Sequence, residues 1–144
     1  MAKQMMNDKR PLLVTLPITV KTYDVDFASI VHNAVYIRWL EDLRQQLIED
    51  HYSMAQALAD GRTPILTRTD IQYKWPTRFG DAVVGQMWIS KMSRTKWVIE
   101  AEILANEQVA ATAVQTGYFA DLQTLRPVRI PESLRAIWEA DQES

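Results

Sequence analysis

Alternation of apolar and polar positions opens the chain. Leu12, Val14, Leu16, Ile18 and Val20 alternate with Leu13, Thr15, Pro17, Thr19 and Lys21. A period of two predicts a strand with one buried face. Pro17 has no amide hydrogen to give a ladder, so this strand is expected at a sheet edge or with a bulge. The pattern breaks over 22–32, which reads as a strand end and a loop. The period then lengthens. Tyr36, Trp39, Leu40, Leu43 and Leu47 share one face of a helix, and Arg38, Glu41, Asp42, Arg44, Gln45 and Glu49 fall on the other. The helix is expected to start near Asn33, whose side chain suits an N-cap. A short helical piece is expected over Ser53 to Ala59, closed by Asp60-Gly61.

The remainder returns to period two. Ile65 to Trp75, Val83 to Ile89, Trp97 to Ile103 and Val109 to Ala120 read as four strands. The segments between them carry turn residues: Pro76 with Phe79-Gly80-Asp81, Ser93-Arg94-Thr95 and Ala105-Asn106-Glu107-Gln108. Short turns between neighbouring strands predict an antiparallel meander. Pro131-Glu132 opens a terminal helix holding Leu134 and Trp138, with the proline in its first turn. One strand, a long helix, a short helix and four strands make an α+β arrangement. Trp75, Trp88 and Trp97 suggest that the sheet face away from the helix is partly covered, by a second subunit.

Composition narrows this picture. The 144 residues suit one domain, expected over 1–144 with its core at about 12–138. Residues 1–10 are polar, and the apolar stretch Pro11 to Val20 is too interrupted for a signal-peptide core and too short to span a bilayer. No membrane insertion and a cytoplasmic location are expected. A net charge of -2 with dispersed signs argues against nucleic acid as a partner. With no cysteine, disulfides, thiolate nucleophiles and cysteine-based zinc sites are excluded.

The segment Tyr23-Asp24-Val25-Asp26-Phe27-Ala28-Ser29-Ile30-Val31-His32-Asn33 carries the candidate chemistry. It puts an acid at a strand end, then a short loop, then a helix N-terminus. The free amides of a helix N-terminus can polarise a carbonyl oxygen and stabilise its developing charge. A carboxylate beside them can attack the carbonyl carbon or activate a water. A thioester suits so small a site, because its thiolate leaves readily. The competing readings are ordinary. Asp24 and Asp26 can serve as turn residues, and His32 as a loop residue. A hard-metal site at Asp24, Asp26 and His32 lacks a further ligand cluster, so no metal and no cofactor are expected.

The same residues resemble the hot-dog thioesterases of the 4-hydroxybenzoyl-CoA thioesterase family. Asp24 and Asp26 match its paired acids, Ile30 and Val31 its apolar pair, Asn33 a polar position and Tyr36 the helix aromatic. Gly80-Asp81 matches the Gly-Asp before a later strand, and Arg126 to Pro131 the tail. Ser29 stands where the family usually has glycine, a departure that matters if that position needs positive φ. The resemblance implies an antiparallel five-stranded sheet wrapped around a long central helix. It implies an acyl-CoA thioesterase with Asp26 as nucleophile or general base and the Asn33 backbone amide polarising the carbonyl. Asp24 and His32 are supporting candidates. Ser29 and Tyr36 would face the substrate, and Arg94, Lys96, Arg126 and Arg129 the nucleotide of CoA. A homodimer or homotetramer is implied. The rival readings are a thioesterase acting on acyl carrier protein, a hot-dog dehydratase using His32, and a non-catalytic acyl-CoA binder.

Overall fold

The computed structural model describes residues 9–143. Most of the polar N-terminal stretch, residues 1–8, lies outside the described residues. The elements run β1 (Val14–Ile18), a 3-10 turn (Thr22–Asp24), α1 (Asn33–His51), α2 (Met54–Asp60), β2 (Arg62–Tyr73), β3 (Val83–Met92), β4 (Lys96–Ala105), β5 (Gln108–Asp121), β6 (Pro127–Val128) and α3 (Glu132–Glu143). The strands form one antiparallel sheet in the order β1-β3-β4-β5-β2. Pro17 lies on the edge strand β1, where a missing amide costs no central ladder bond.

Period two could not reveal β6, which has two residues and pairs with Phe119 and Ala120 of β5. The Asp121 carboxylate creates it by accepting the amides of Gln123 and Thr124, which turns the chain back on itself. α2 follows the sequence expectation closely. The Ser53 hydroxyl caps its first turn through the Gln56 amide, and Gly61 ends it in the left-handed region at φ 69°. Pro131 sits just ahead of α3 rather than in its first turn, and its carbonyl accepts the Arg135 amide.

The core lies between α1 and one face of the sheet. α1 buries Val35, Tyr36, Trp39, Leu40, Leu43 and Leu47 there. Gly85 lets helix and sheet approach closely, because a Cβ at that position would lie 2.8 Å from Leu43 Cδ1 and 2.9 Å from Ile18 Cδ1. Truncating the fully buried Leu43 to alanine would cost about 2–5 kcal/mol. A sheet wrapped around one long helix is the hot-dog fold.

The tryptophans divide differently from the expectation. Trp97 is buried on the α1 side of the sheet, across from Gly117. Trp88 is buried on the opposite face, with the Arg10 guanidinium of the same chain 4.1 Å above its ring. Trp75 lies beyond β2 and is exposed. Trp88 and Trp97 are therefore buried by their own chain, and Trp75 is not buried. β2 is the half-exposed strand: its register slips between Leu66 and Arg68, and it pairs with β5 along one side only.

Candidate active site

The loop between β1 and α1 is built by its two aspartates. Asp24 is fully buried. Its Oδ2 accepts the Lys21 amide at 2.8 Å and its Oδ1 accepts Arg38 Nη2 at 2.5 Å. Its carbonyl accepts the His32 amide at 3.0 Å. Asp24 thus ties the incoming chain, the body of α1 and the start of α1 together. The carboxylate also raises the Arg38 pKa, chiefly through their hydrogen bond.

Asp26 closes the loop itself. Its Oδ1 accepts the amides of Ala28 at 2.8 Å and Ile30 at 3.1 Å. Its own amide donates to the Ile30 carbonyl, and its carbonyl accepts the Ser29 amide. Oδ2 has no hydrogen-bond partner among the described residues, and the residue is half-buried. Ser29 adopts φ 63°. A left-handed residue with a Cβ costs roughly 1–2 kcal/mol, which is why glycine would suit this position. Serine holds the same turn here at that cost, with its amide bonded to Asp26 and its carbonyl to Phe79.

Val25 bridges Val31, so the chain folds back at once and brings Asp26 to within on the order of 10 Å of the first turn of α1. The N-cap is His32, not Asn33. His32 has extended backbone (φ -63°, ψ 141°) because its amide is drawn to Asp24, while its carbonyl accepts the Val35 amide. Asn33 is the first helical residue and its side chain is exposed. Neither Asn33 nor Ala34 has an intrahelical acceptor for its amide, a consequence of helix geometry. The His32 side chain makes no capping bond and is exposed.

The segment after β2 clasps this loop. Val31 N donates to the Thr77 carbonyl, Ile30 bridges Arg78, and Phe79 N donates to the Ser29 carbonyl. Thr77 is fully buried and its hydroxyl accepts the Tyr36 phenol at 2.8 Å. Burial raises the Tyr36 pKa, so the phenol stays a neutral donor. Tyr73 donates to the Asn33 carbonyl at 3.1 Å and meets Tyr36 edge to face at 5.2 Å. A shallow cavity of about 300 Å³ opens here, walled by Ile30, Val31, Asn33, Tyr36, Tyr73 and Trp75 among others. Phe27 is fully exposed, and Tyr23, Trp75 and Phe79 are exposed around the same loop.

The structure therefore gathers Asp24, Asp26, Ser29, His32, Asn33 and Tyr36. It also adds Arg38, Tyr73, Trp75 and Thr77, which the sequence offered only as helix polarity, strand alternation and turn. Arg38 follows Asp24 by fourteen residues, a spacing that signals nothing until the loop folds back.

Arg94, Lys96, Arg126 and Arg129 come together elsewhere. The Ile130 amide donates to the Arg94 carbonyl, Lys96 pairs with Tyr118, and β6 lies between Arg126 and Arg129. Arg62, at the start of β2, donates to the Arg129 carbonyl. The ladder from Val83–Ala105 to Met92–Trp97 separates this cluster from the Asp26 end by about 30 Å. Among the described residues, no group of three or more His, Asp or Glu could hold a metal ion. No helix among them is long and apolar enough to cross a membrane.

Comparison with known proteins agrees with this architecture. The acyl-CoA thioester hydrolase YbgC of Escherichia coli O157:H7 is 25% identical over 122 residues, covering 83% of this chain and 91% of that protein. The chloroplastic acyl-acyl carrier protein thioesterase ATL3 of Arabidopsis thaliana is 26% identical over 122 residues, covering 83% of this chain and 64% of that protein. A thioesterase from Thermus thermophilus, solved with coenzyme A and zinc, superposes with a TM-score of 0.77 at 22% identity, covering 93% of this chain and 96% of that one. The family model of the thioesterase-like superfamily matches residues 20–137, from just past β1 into α3, and the chain belongs to that superfamily.

Proposed function

We propose that this protein is an acyl-CoA thioesterase that hydrolyses a thioester to a free acid and CoA. The observation that carries the reading is the Asp26 hairpin folded against the open N-terminus of α1, in a chain of the thioesterase-like superfamily. The Asn33 amide polarises the thioester oxygen, aided by the partial positive charge of the helix end. Asp26, through its unbonded oxygen, either attacks the carbonyl carbon or takes a proton from the attacking water. The C–S bond breaks and the thiolate leaves with its electron pair; where Asp26 is the nucleophile, water then hydrolyses the resulting mixed anhydride, freeing the acid and the Asp26 carboxylate. His32, exposed beside the site, is the group that can supply the thiol proton. Asp24 acts through Arg38 and the His32 amide, holding the helix end in place. Ser29 shapes the turn, and Tyr36 lines the acyl side with Tyr73 and Trp75.

The open edge of β2 supports a dimer. A twelve-residue edge strand offers unpaired amides and carbonyls that a second copy can satisfy. Two copies related by a two-fold axis would pair these edges antiparallel. The β2 start of one subunit, with its neighbouring Arg94, Lys96, Arg126 and Arg129, would then adjoin the β2 end and Asp26 loop of the other. In that dimer the basic cluster of one subunit reads the CoA phosphates of a thioester held by its partner. Light scattering should give at least twice the chain mass of 16.6 kDa, and an active monomer at micromolar concentration would refute the assembly.

The similarity to the plant enzyme favours one second reading, a thioester carried by acyl carrier protein. Thiol release measured against a panel of aliphatic and aromatic acyl-CoAs, and against the same acyl groups on carrier protein, separates the two. Flat baselines on every substrate would leave a non-catalytic binder.

A further inference from the structure

The turn from β5 into β6 stands at the basic end of the sheet, away from the Asp26 loop. It presents two leucines to solvent, Leu122 at 37% and Leu125 at 56% exposure. A lone exposed leucine is ordinary. Leu125 is not, because its backbone sits at φ 61°. That left-handed region carries a steric cost for a residue with a Cβ, and glycine or asparagine adopts it more readily. Leu12, the other leucine at positive φ among the described residues, is buried in the core. Leu125 combines a strained backbone with an exposed apolar side chain, and gains little burial in this chain to offset either.

The turn holds that residue rigidly. Leu125 N donates to the Asp121 carbonyl at 2.8 Å, and Asp121 N donates to the Arg126 carbonyl at 2.9 Å. Asp121 Oδ1 accepts the amides of Thr124 and Gln123, which hold its carboxyl below the usual carboxylate range. The Thr124 hydroxyl accepts the Arg126 amide, and the Tyr118 hydroxyl donates to the Leu125 carbonyl at 3.3 Å. Strain kept in place by so many bonds points to a use for the position. The surroundings name its chemistry. Tyr118 pairs with Lys96 across the β4–β5 ladder, so Lys96 stands beside the ring that holds Leu125. Arg126 follows Leu125 directly, β6 carries the chain on to Arg129, and the Ile130 amide fixes the Arg94 carbonyl. A preformed apolar platform is thereby set among four cations.

We propose that Leu122 and Leu125 seat a purine base whose phosphates meet Arg94, Lys96, Arg126 and Arg129. Phosphate by itself calls for cations and for no leucine. A purine ring is flat and largely apolar on its faces, so it covers the leucines on one side, and a guanidinium can stack on the other. The phosphates take the arginine forks. The inference deepens the acyl-CoA reading and rests on it for the source of the nucleotide. The adenine of CoA would be read at this turn, and CoA would be told from shorter pantetheine thioesters by its base as well as by its charge.

The test uses the full chain with 13C-labelled leucine methyls and adenosine 3′,5′-bisphosphate as the probe, with inorganic pyrophosphate as the base-free control. Leu125→Gly, which suits the left-handed backbone, assigns the Leu125 resonances by their loss. The probe should move those methyls upfield saturably, because they lie against an aromatic face, and pyrophosphate should not. By calorimetry, Leu125→Gly should bind the probe about three- to tenfold more weakly than the wild type, and pyrophosphate equally well. Leu122→Ala should weaken the probe about two- to fivefold, and keeps the test valid if glycine loosens the turn. Leu125 methyls unmoved by excess probe, or pyrophosphate bound by the wild type as tightly as the probe, would overturn the proposal. So would folded variants that bind the probe like the wild type, or that lose pyrophosphate to the same degree. The thioester reading fails separately: flat thiol release from every acyl-CoA, with base-dependent binding intact, would refute the enzyme and keep the purine seat.

Discussion

The two ends of the sheet expose different chemistry. The Asp26 end is held by side chains bonding to backbone: Asp24 to Lys21, Asp26 to Ala28 and Ile30, Asp81 to Arg78, and Tyr73 to Asn33. It exposes Phe27, Tyr23, Trp75 and Phe79. The opposite end combines backbone pairing, β6 on β5 and Ile130 on Arg94, with side-chain bonds of its own, from Asp121 to Gln123 and Thr124 and from Arg62 to Arg129. There the exposed side chains include Arg94, Lys96, Arg126 and Arg129, beside Leu122 and Leu125. In the proposed function one end would offer a carboxylate and helix amides to a carbonyl, and the other arginine forks to phosphate. They stand about 30 Å apart in one chain. In the proposed dimer, a substrate needing both would meet them on different subunits.

The largest effect expected from breaking this contrast is at Asp26. Asp26→Asn keeps the loop acceptor at Oδ1 but cannot act as nucleophile or base, so kcat should fall by about 100-fold or more, with the circular dichroism unchanged. Turnover at the wild-type rate would remove Asp26 from the mechanism.

Asp24 should behave in the opposite way, through the fold. Asp24→Ala leaves the Lys21 amide and Arg38 without their partner, and should cost about 2–3 kcal/mol of stability, read from urea unfolding. A variant as stable as the wild type would show that the buried carboxylate does not anchor the loop.

The cationic end is probed by neutralising Arg94 and Arg126 together. KM for acyl-CoA should rise about three- to tenfold with kcat nearly unchanged, and truncated acyl-pantetheine should be unaffected. Added salt should weaken the wild type more than the variant. An equal rise in KM for both substrates would mean that these residues do not read the nucleotide.

The smallest effect is at Ser29. Ser29→Gly should relieve the left-handed strain and stabilise the chain by about 1 kcal/mol, a shift visible as a higher Tm. Destabilisation would show that the hydroxyl contributes more than the Cβ costs.

Much of the architecture was legible because it is periodic. The α1 stripe from Tyr36 to Leu47, the edge position of Pro17, and the Ser53 and Gly61 ends of α2 are local signals with local physical causes. The site was legible in part. Its acids and helix start are adjacent in sequence, yet the identity of the cap was not, because Asp24 captures the His32 amide and shifts the helix start by one residue.

What the sequence by itself determined is thus the set of elements, their type and the segment carrying Asp24 and Asp26, since hydrophobic period and turn chemistry act over a few residues. Only the tertiary structure decided which aspartate is buried against Arg38 and which keeps an oxygen unbonded. It alone placed Thr77 and Tyr73 beside the loop, and the basic cluster at the far end. Those outcomes depend on contacts between residues tens of positions apart, made by strand register and helix packing, and no local pattern encodes them.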